Sequence, residues 1–271
     1  MTKWFIGCSG WSYNDWLGRF YPENMDKKDF LRYYVTKFNT AEINSTFYQL
    51  PSLSTVWGWT HVPHYFKFSV KMWKKITHEA QLGKVEKLLD EFIETLKPLV
   101  MKNKLGVILI QLPPTFTKTT GFEKLEHFLA LLPSNYKFAV EIRHESWIDE
   151  SVFKLLEQYN VAWVIFDGPE KFPKVPPKIT ADFTYVRFHG RYERFPYAYM
   201  YKEEELKEWV PILKNIETQV KEVWLYFNNH FKAHAPINAL KMIQLLGLKI
   251  EDLTPHAQLS LFGFLEKGKG K

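Results

Sequence analysis

Short apolar runs recur along this chain, each followed by a few polar residues and then by a stretch with helical spacing. The runs cover residues 4–8, 40–44, 66–70, 105–110, 138–142, 161–166, 183–188 and 223–227. They are brief and rich in β-branched or aromatic side chains, which favours strands over buried helices. Between them, the stretch 84–101 sets Val85, Leu88, Leu89, Phe92, Leu96 and Leu99 at helical spacing. Stretches 122–132, 149–159, 203–220 and 236–246 read the same way, with Gly247 as a C-cap, and a helix over 29–38 links the first two strands. Two places depart from the pattern. Residues 52–59 predict only a short helix, with Ser52 or Ser54 as its cap, and 168–182 carries Pro169, Pro173, Pro176 and Pro177, which oppose a helix between strands six and seven. Alternating strands and helices imply a parallel sheet. Eight of them predict an α/β fold, a (β/α)₈ TIM-type barrel that is somewhat degenerate, as one domain over 1–271 with a Lys/Gly tail from about 266.

Composition changes this picture little. The 271 residues suit one barrel, and a 46% hydrophobic share supplies one continuous core. The aromatic share of 17% is high, and many of these rings lie in loops, where they either plug a barrel or line a ligand cleft. The net charge of +6 lies partly in Lys267, Lys269 and Lys271, and elsewhere the signs are mixed. It permits an anionic ligand without requiring nucleic acid. Cys8 is the only cysteine, which excludes an internal disulfide and a thiolate metal cluster. Residues 1–10 lack the charged and apolar regions of a secretory signal, and no apolar run is long enough to span a bilayer. The expectation is a cytoplasmic protein with no membrane partner. The oligomeric state is not legible.

The chemistry lies in what ends each run. Strand one ends at Ser9-Gly10, strand two at Glu42 and Asn44, strand three at Lys71, strand four at Gln111. Strand five ends at Glu141, Arg143 and His144, strand six at Asp167, strand seven at Arg187 and His189, strand eight at Asn228, Asn229 and His230. Side chains alternate with period two, so Glu42 shares a face with Asn44, Glu141 with Arg143, and Arg187 with His189. Charged pairs under the helix layer would be costly, which assigns them to the barrel mouth.

Lys71, Arg143 and Arg187 offer three cationic donors for a carboxylate or phosphate. Glu42 and Glu141 are the catalytic candidates if their surroundings separate their pKa values into an acid and a base; the rival reading is a buried network that neutralises Arg and Lys. Asn44, Gln111, Asn228 and Asn229 would orient the substrate, and Tyr48, Trp147, Asp167 and His189 complete the binding set. Glu42, Glu141, Asp167, His189 and His230 are also metal-ligand types, but no compact motif joins them, and neither metal nor cofactor is expected. His78, His127 and His234 read as ordinary surface residues, and Cys8 as a small core residue. No phosphate loop and no Gly-x-Ser-x-Gly elbow is present. The loop aromatics, among them Tyr13, Trp16, Phe47, Tyr192 and Tyr197, suit stacking on a sugar or base, or packing.

The segments Gly7-Cys8-Ser9-Gly10-Trp11-Ser12-Tyr13, Glu42-Ile43-Asn44-Ser45-Thr46-Phe47-Tyr48, Phe68-Ser69-Val70-Lys71, Ile110-Gln111-Leu112-Pro113-Pro114, Glu141-Ile142-Arg143-His144 with Ser146-Trp147, Arg187-Phe188-His189-Gly190-Arg191 and Tyr226-Phe227-Asn228-Asn229-His230 resemble the YecE-like proteins, domain of unknown function 72. The resemblance runs from residue 7 to about 240 and implies a barrel but no reaction. The leading expectation is therefore an enzyme acting on a small anionic or sugar-like substrate by acid–base or hydrolytic chemistry at the C-terminal mouth. The alternatives are a metal-dependent phosphoesterase or nuclease-like hydrolase, and a non-catalytic protein binding a ligand or nucleic acid.

Overall fold

The computed structural model describes residues 2–255, so the tail expected from about 266 lies outside the described residues. Eight strands, β1 (Lys3–Ser9), β2 (Thr40–Ile43), β3 (Lys67–Lys71), β4 (Leu105–Gln111), β5 (Lys137–Glu141), β6 (Ala162–Asp167), β7 (Phe183–Phe188) and β8 (Glu222–Phe227), form a closed barrel in chain order. Every neighbouring pair is parallel, and β8 closes on β1 with Lys3 opposite Glu222 and Cys8 opposite Phe227. This is a TIM-type barrel, and it agrees with the strand order read from the hydrophobic pattern.

The helices are α1 (Phe30–Tyr34), α2 (Ser45–Tyr48), α3 (Leu53–Trp59), α4 (Glu86–Met101), α5 (Lys118–Leu131), α6 (Glu150–Gln158), α7 (Glu203–Glu217), α8 (His234–Leu245) and α9 (Ile250–Leu253). Ser52 caps α3 by accepting from Thr55 N at 3.2 Å, and Asp149 caps α6 by accepting from Ser151 N at 2.9 Å. Helix α5 starts four residues before the Phe122 boundary predicted from sequence. Gly121 sits inside the first turns of α5, where the Phe116 ring occupies the place of a Cβ. No helix joins β6 to β7. The proline-rich chain is instead tied to the start of β6, where Thr180 Oγ1 donates to Val161 O (2.7 Å) and accepts from Trp163 N (2.8 Å). Among the described residues no helix is long and apolar enough to cross a membrane.

The period-two alternation divides the strand residues into two separate apolar clusters. Ile6, Ile43, Val70, Ile110, Ile142 and Phe227 belong to the outer one, beneath the helices. Val107, Leu109, Val164, Phe183, Tyr185 and Trp224 belong to the inner one, along the axis. The inner layer is polar on one side: Thr40 Oγ1 and Tyr226 OH are 2.7 Å apart, and Tyr226 OH donates to Ser69 Oγ at 2.8 Å. Ser69 accepts in turn from Val107 N at 3.2 Å, where the β3–β4 register shifts. A hydroxyl floor therefore lies beneath the charged residues of the mouth.

The β1–β2 seam depends on a missing side chain. Tyr34 OH sits in the seam, accepting from Cys8 N (2.7 Å) and donating to Thr40 O (3.0 Å). A Cβ on Gly7 would fall 2.0 Å from Thr40 O and 2.7 Å from Tyr34 OH. Backbone cannot yield as a flexible side chain does, so Gly7→Ala is expected to cost about 3 kcal/mol or more, the upper end of overpacking effects. Urea unfolding measures this directly, and a loss below about 1 kcal/mol would mean that the seam is looser than described.

Candidate functional site at the barrel mouth

Inward residues at the ends of β2, β5 and β7 meet on the axis. Arg187 is the link: its Nη2 donates to Glu42 Oε1 at 2.7 Å and its Nη1 to Glu141 Oε2 at 2.8 Å. Glu42 also accepts from Ser9 Oγ (2.6 Å), Tyr185 OH (2.7 Å) and Asn44 Nδ2 (3.1 Å). Ser9 stands beside Glu42 by strand register, and Gln111 beside Glu141. The other oxygen of Glu141 pairs with Arg143 Nη2, and His189 Nε2 lies 3.4 Å from it. The same Nε2 lies 3.2 Å from Arg143 Nη2, and the other ring nitrogen, Nδ1, lies 3.1 Å from Asn228 Nδ2.

The electrostatics follow from these partners. Burial pushes the Glu42 carboxyl up, but Arg187 and the Ser9 and Tyr185 hydroxyls more than reverse this and hold it below its ordinary value. Burial likewise opposes Glu141, and Arg143, Arg187 and His189 overcome it, leaving this carboxyl well below the usual range. Both glutamates are therefore ionised at neutral pH and fully buried. The acid-and-base division that the sequence allowed needs one of them raised, and neither is. Their contacts are those of the buried network.

Lys71 differs from its neighbours. Its Nζ donates to Gln111 Oε1 at 2.8 Å and lies over the Phe47 ring, 3.9 Å from the centroid. Burial, with Arg187 second, pulls its ammonium down to about 7, while Glu141 acts in the opposite direction. Burial also pulls His189 to about 4, so that imidazole is neutral at pH 7.

Above this network is a cavity of about 390 Å³ lined by Asn44, Lys71, Gln111, Arg143, Arg187, His189 and Asn228, with Tyr13, Phe47, Tyr48, Phe172, Tyr197 and His230 as aromatic walls. Tyr13 stacks on His230 (centroids 4.5 Å apart) and His230 on Tyr197 (5.0 Å). Three atoms of the charged wall, Asn44 Oδ1, Arg143 Nη1 and Arg187 Nε, are buried without a hydrogen-bond partner. Each such atom costs about 1–3 kcal/mol unless something completes it.

Three residues of the expected set lie elsewhere. Asp167 accepts from Arg191 Nη2 (2.7 Å), Tyr201 OH (2.7 Å) and Trp209 Nε1 (3.3 Å), and so is engaged in anchoring the β7–α7 connection. It borders a different hollow of about 560 Å³ by the β6–β7 connection, where its charge is already met by Arg191. Trp147 is buried and donates to Phe116 O (2.6 Å), and Asn229 is buried and donates to Tyr199 O (2.8 Å) and Asn238 Oδ1 (2.9 Å). Both do packing work beside the mouth. His78 is not an ordinary surface residue: it is partly buried against Phe47, and burial and Lys71 lower it to about 4. Tyr185 is a member of the network outside the residues expected from sequence, and its position two residues before Arg187 puts it on the same face.

As for metals, no three His, Cys, Asp or Glu side chains come together among the described residues. The metal-ligand types named from sequence are instead divided between the guanidinium network, the Asp167 anchor and the Tyr13–His230–Tyr197 stack.

Fold and site together define a (β/α)₈ barrel with an ion-paired, aromatic-walled mouth, the end at which such barrels bind their ligands. The chain belongs to the family described as "Protein of unknown function DUF72", whose model matches residues 5–260. It is similar to the UPF0759 protein YunF of Bacillus subtilis, 27% identical over 95% of this chain and 99% of that one. It is also similar to the UPF0759 protein YecE of Escherichia coli, 29% identical over 69% of this chain and 74% of that one. A crystal structure of a DUF72 family protein from Thermotoga maritima superposes with a TM-score of 0.83 at 35% identity, covering 90% of this chain and 99% of that one. One from Enterococcus faecalis, at 24% identity, gives 0.77 over 91% and 96%, and supports the fold alone.

Proposed function

We propose that this protein is an enzyme that takes a small anionic substrate into the barrel mouth, with Arg143 holding the anionic group and Lys71 moving the proton. The observation that carries this reading is a set of unpartnered buried atoms on residues that line one cavity with Lys71: two guanidinium donors and one amide acceptor. A ligand bearing oxyanion oxygens and a hydroxyl matches these groups in donor and acceptor type. Glu42 and Glu141 act through other residues, fixing Arg187 and Arg143 in place. Lys71 has the property a proton-transfer group needs, an acid constant near the working pH. Acid–base chemistry is favoured over the metal-dependent reading because the acidic side chains of the mouth are already bound to guanidinium groups.

Calorimetric titration with inorganic phosphate and with lactate tests the binding half. Wild type is expected to bind at least one of them, and Arg143→Met to lose about 10- to 100-fold, the value of one charge-assisted hydrogen bond. Arg143→Lys retains charge without the fork and should fall between. Equal affinity in all three proteins, with folding checked by circular dichroism, would remove Arg143 from the site. Salt-sensitive binding of a long single-stranded DNA with no competition from phosphate or lactate would favour a nucleic-acid-binding protein instead.

A further inference from the structure

Lys71 is the only lysine among the described residues that line the mouth cavity. Its Nζ touches a neutral amide oxygen and an aromatic face, not a carboxylate: Gln111 Oε1 is 2.8 Å away, and the Phe47 centroid 3.9 Å. The two mouth carboxylates, which would otherwise pair with it, are taken up by Arg187 and Arg143. Among the described residues most other lysines are paired with acids or lie on the exposed faces of helices, as Lys97, Lys118, Lys207 and Lys241 do. An amine in this position, desolvated and beside cations, is the arrangement that frees a lysine lone pair for attack on carbon.

Resting on the anion-binding part of the reading above, we infer that Lys71, besides moving a proton, is a nucleophile that forms an imine with a small carbonyl compound carrying a negative charge. Arg143 Nη1 would receive the anionic group and Nζ the carbonyl carbon. The nitrogen lone pair adds to the carbon, a proton passes from nitrogen to the new alkoxide, and the resulting carbinolamine loses water. The net change is amine plus carbonyl giving imine plus one water, with no oxidant or cofactor. Gln111 is the positioning residue: its Oε1 directs Nζ, while its Nε2 is fixed by donation to Leu112 O at 2.7 Å. The Tyr13–His230–Tyr197 stack would cover the apolar part of the substrate. The buried amine also accounts for the Glu42–Arg187–Glu141 network, since unpaired carboxylates near Nζ would keep it protonated.

The test is reductive trapping. Wild-type protein is incubated near pH 7 with sodium cyanoborohydride and either pyruvate or dihydroxyacetone phosphate, then digested and mapped by mass spectrometry. Hydride addition to the imine carbon and a proton from water leave a secondary amine of defined added mass. The expected result is labelling at Lys71 at least tenfold faster than at any other lysine with one of the two probes, with the surface lysines serving as internal controls. Lys71→Arg should remove that label, and Gln111→Leu should slow it. Phosphate or lactate binding at the mouth without preferential labelling of Lys71 by either probe would overturn the imine and leave the anion-site reading standing. Preferential labelling of another lysine would overturn it equally. Loss of both anion binding and labelling would remove the proposed function together with the inference.

Discussion

Arg187→Met is expected to be among the most damaging single substitutions in this protein, destabilising it by about 3–5 kcal/mol, the range found when one partner of a buried ion pair is removed. The substitution keeps an unbranched apolar stem and removes both guanidinium bonds at once, one to each glutamate. Glu42 retains Ser9, Tyr185 and Asn44 as donors, and Glu141 retains Arg143, so the barrel should still close but with excess negative charge at its centre. The pH dependence identifies the cause. Both carboxyls are held below their unfolded values, so their favourable contribution is complete above about pH 4.3 and is lost as pH falls through the lower folded values. The deficit of Arg187→Met should therefore be largest near neutrality and shrink in acid. Adding Glu42→Gln should recover part of it, which a double-mutant cycle by urea unfolding would quantify. A deficit that is constant with pH and unrelieved by Glu42→Gln would point to lost packing instead of unpaired charge.

The second large effect has the opposite sign. Lys71→Met should make the protein more stable at pH 7, by about 1–4 kcal/mol, the range seen when apolar residues replace buried charges. A folded-state value of about 7 against an unfolded one near 10.4 means that the unfolded chain holds more protons between those limits. Wild-type stability then rises with pH across that window, and the advantage of the variant should decline from pH 7 toward pH 10. A variant that is less stable than wild type at every pH would mean that the ammonium is well solvated, and would weaken Lys71 as a proton-transfer group. Gained stability together with lost function is the usual mark of a residue retained for chemistry.

Much of the fold was legible because the physics that sets it is local. A period of two marks a strand with two distinct faces, and helical spacing marks a helix with one apolar side. Eight alternations of the two leave few topologies for a chain of this size. The same period placed Glu42 and Asn44, Glu141 and Arg143, Arg187 and His189 on inner faces, and the mouth cavity is lined from four of those six residues and from Lys71, Gln111 and Asn228. Prolines between 168 and 182 announced the missing helix, since a residue without an N–H cannot extend one. The same period, one step back along β7 from Arg187, puts Tyr185 on the inner face as well.

What the sequence could not decide was how the charges pair. Two glutamates, two arginines and a lysine at strand ends are consistent with an acid–base couple, a metal site or a closed network. The choice depends on distances across the barrel between β2, β5 and β7, which no local pattern encodes. Closure of the sheet brings Arg187 between Glu42 and Glu141, within 2.7 and 2.8 Å, and this removes both carboxylates from proton storage. It leaves Lys71 desolvated beside Gln111 and Phe47, and it turns Asp167 aside toward Arg191 and Tyr201. Side-chain identity and alternation are properties of the chain. The ionisation state of each mouth residue is a property of its surroundings, and only the folded barrel supplies them.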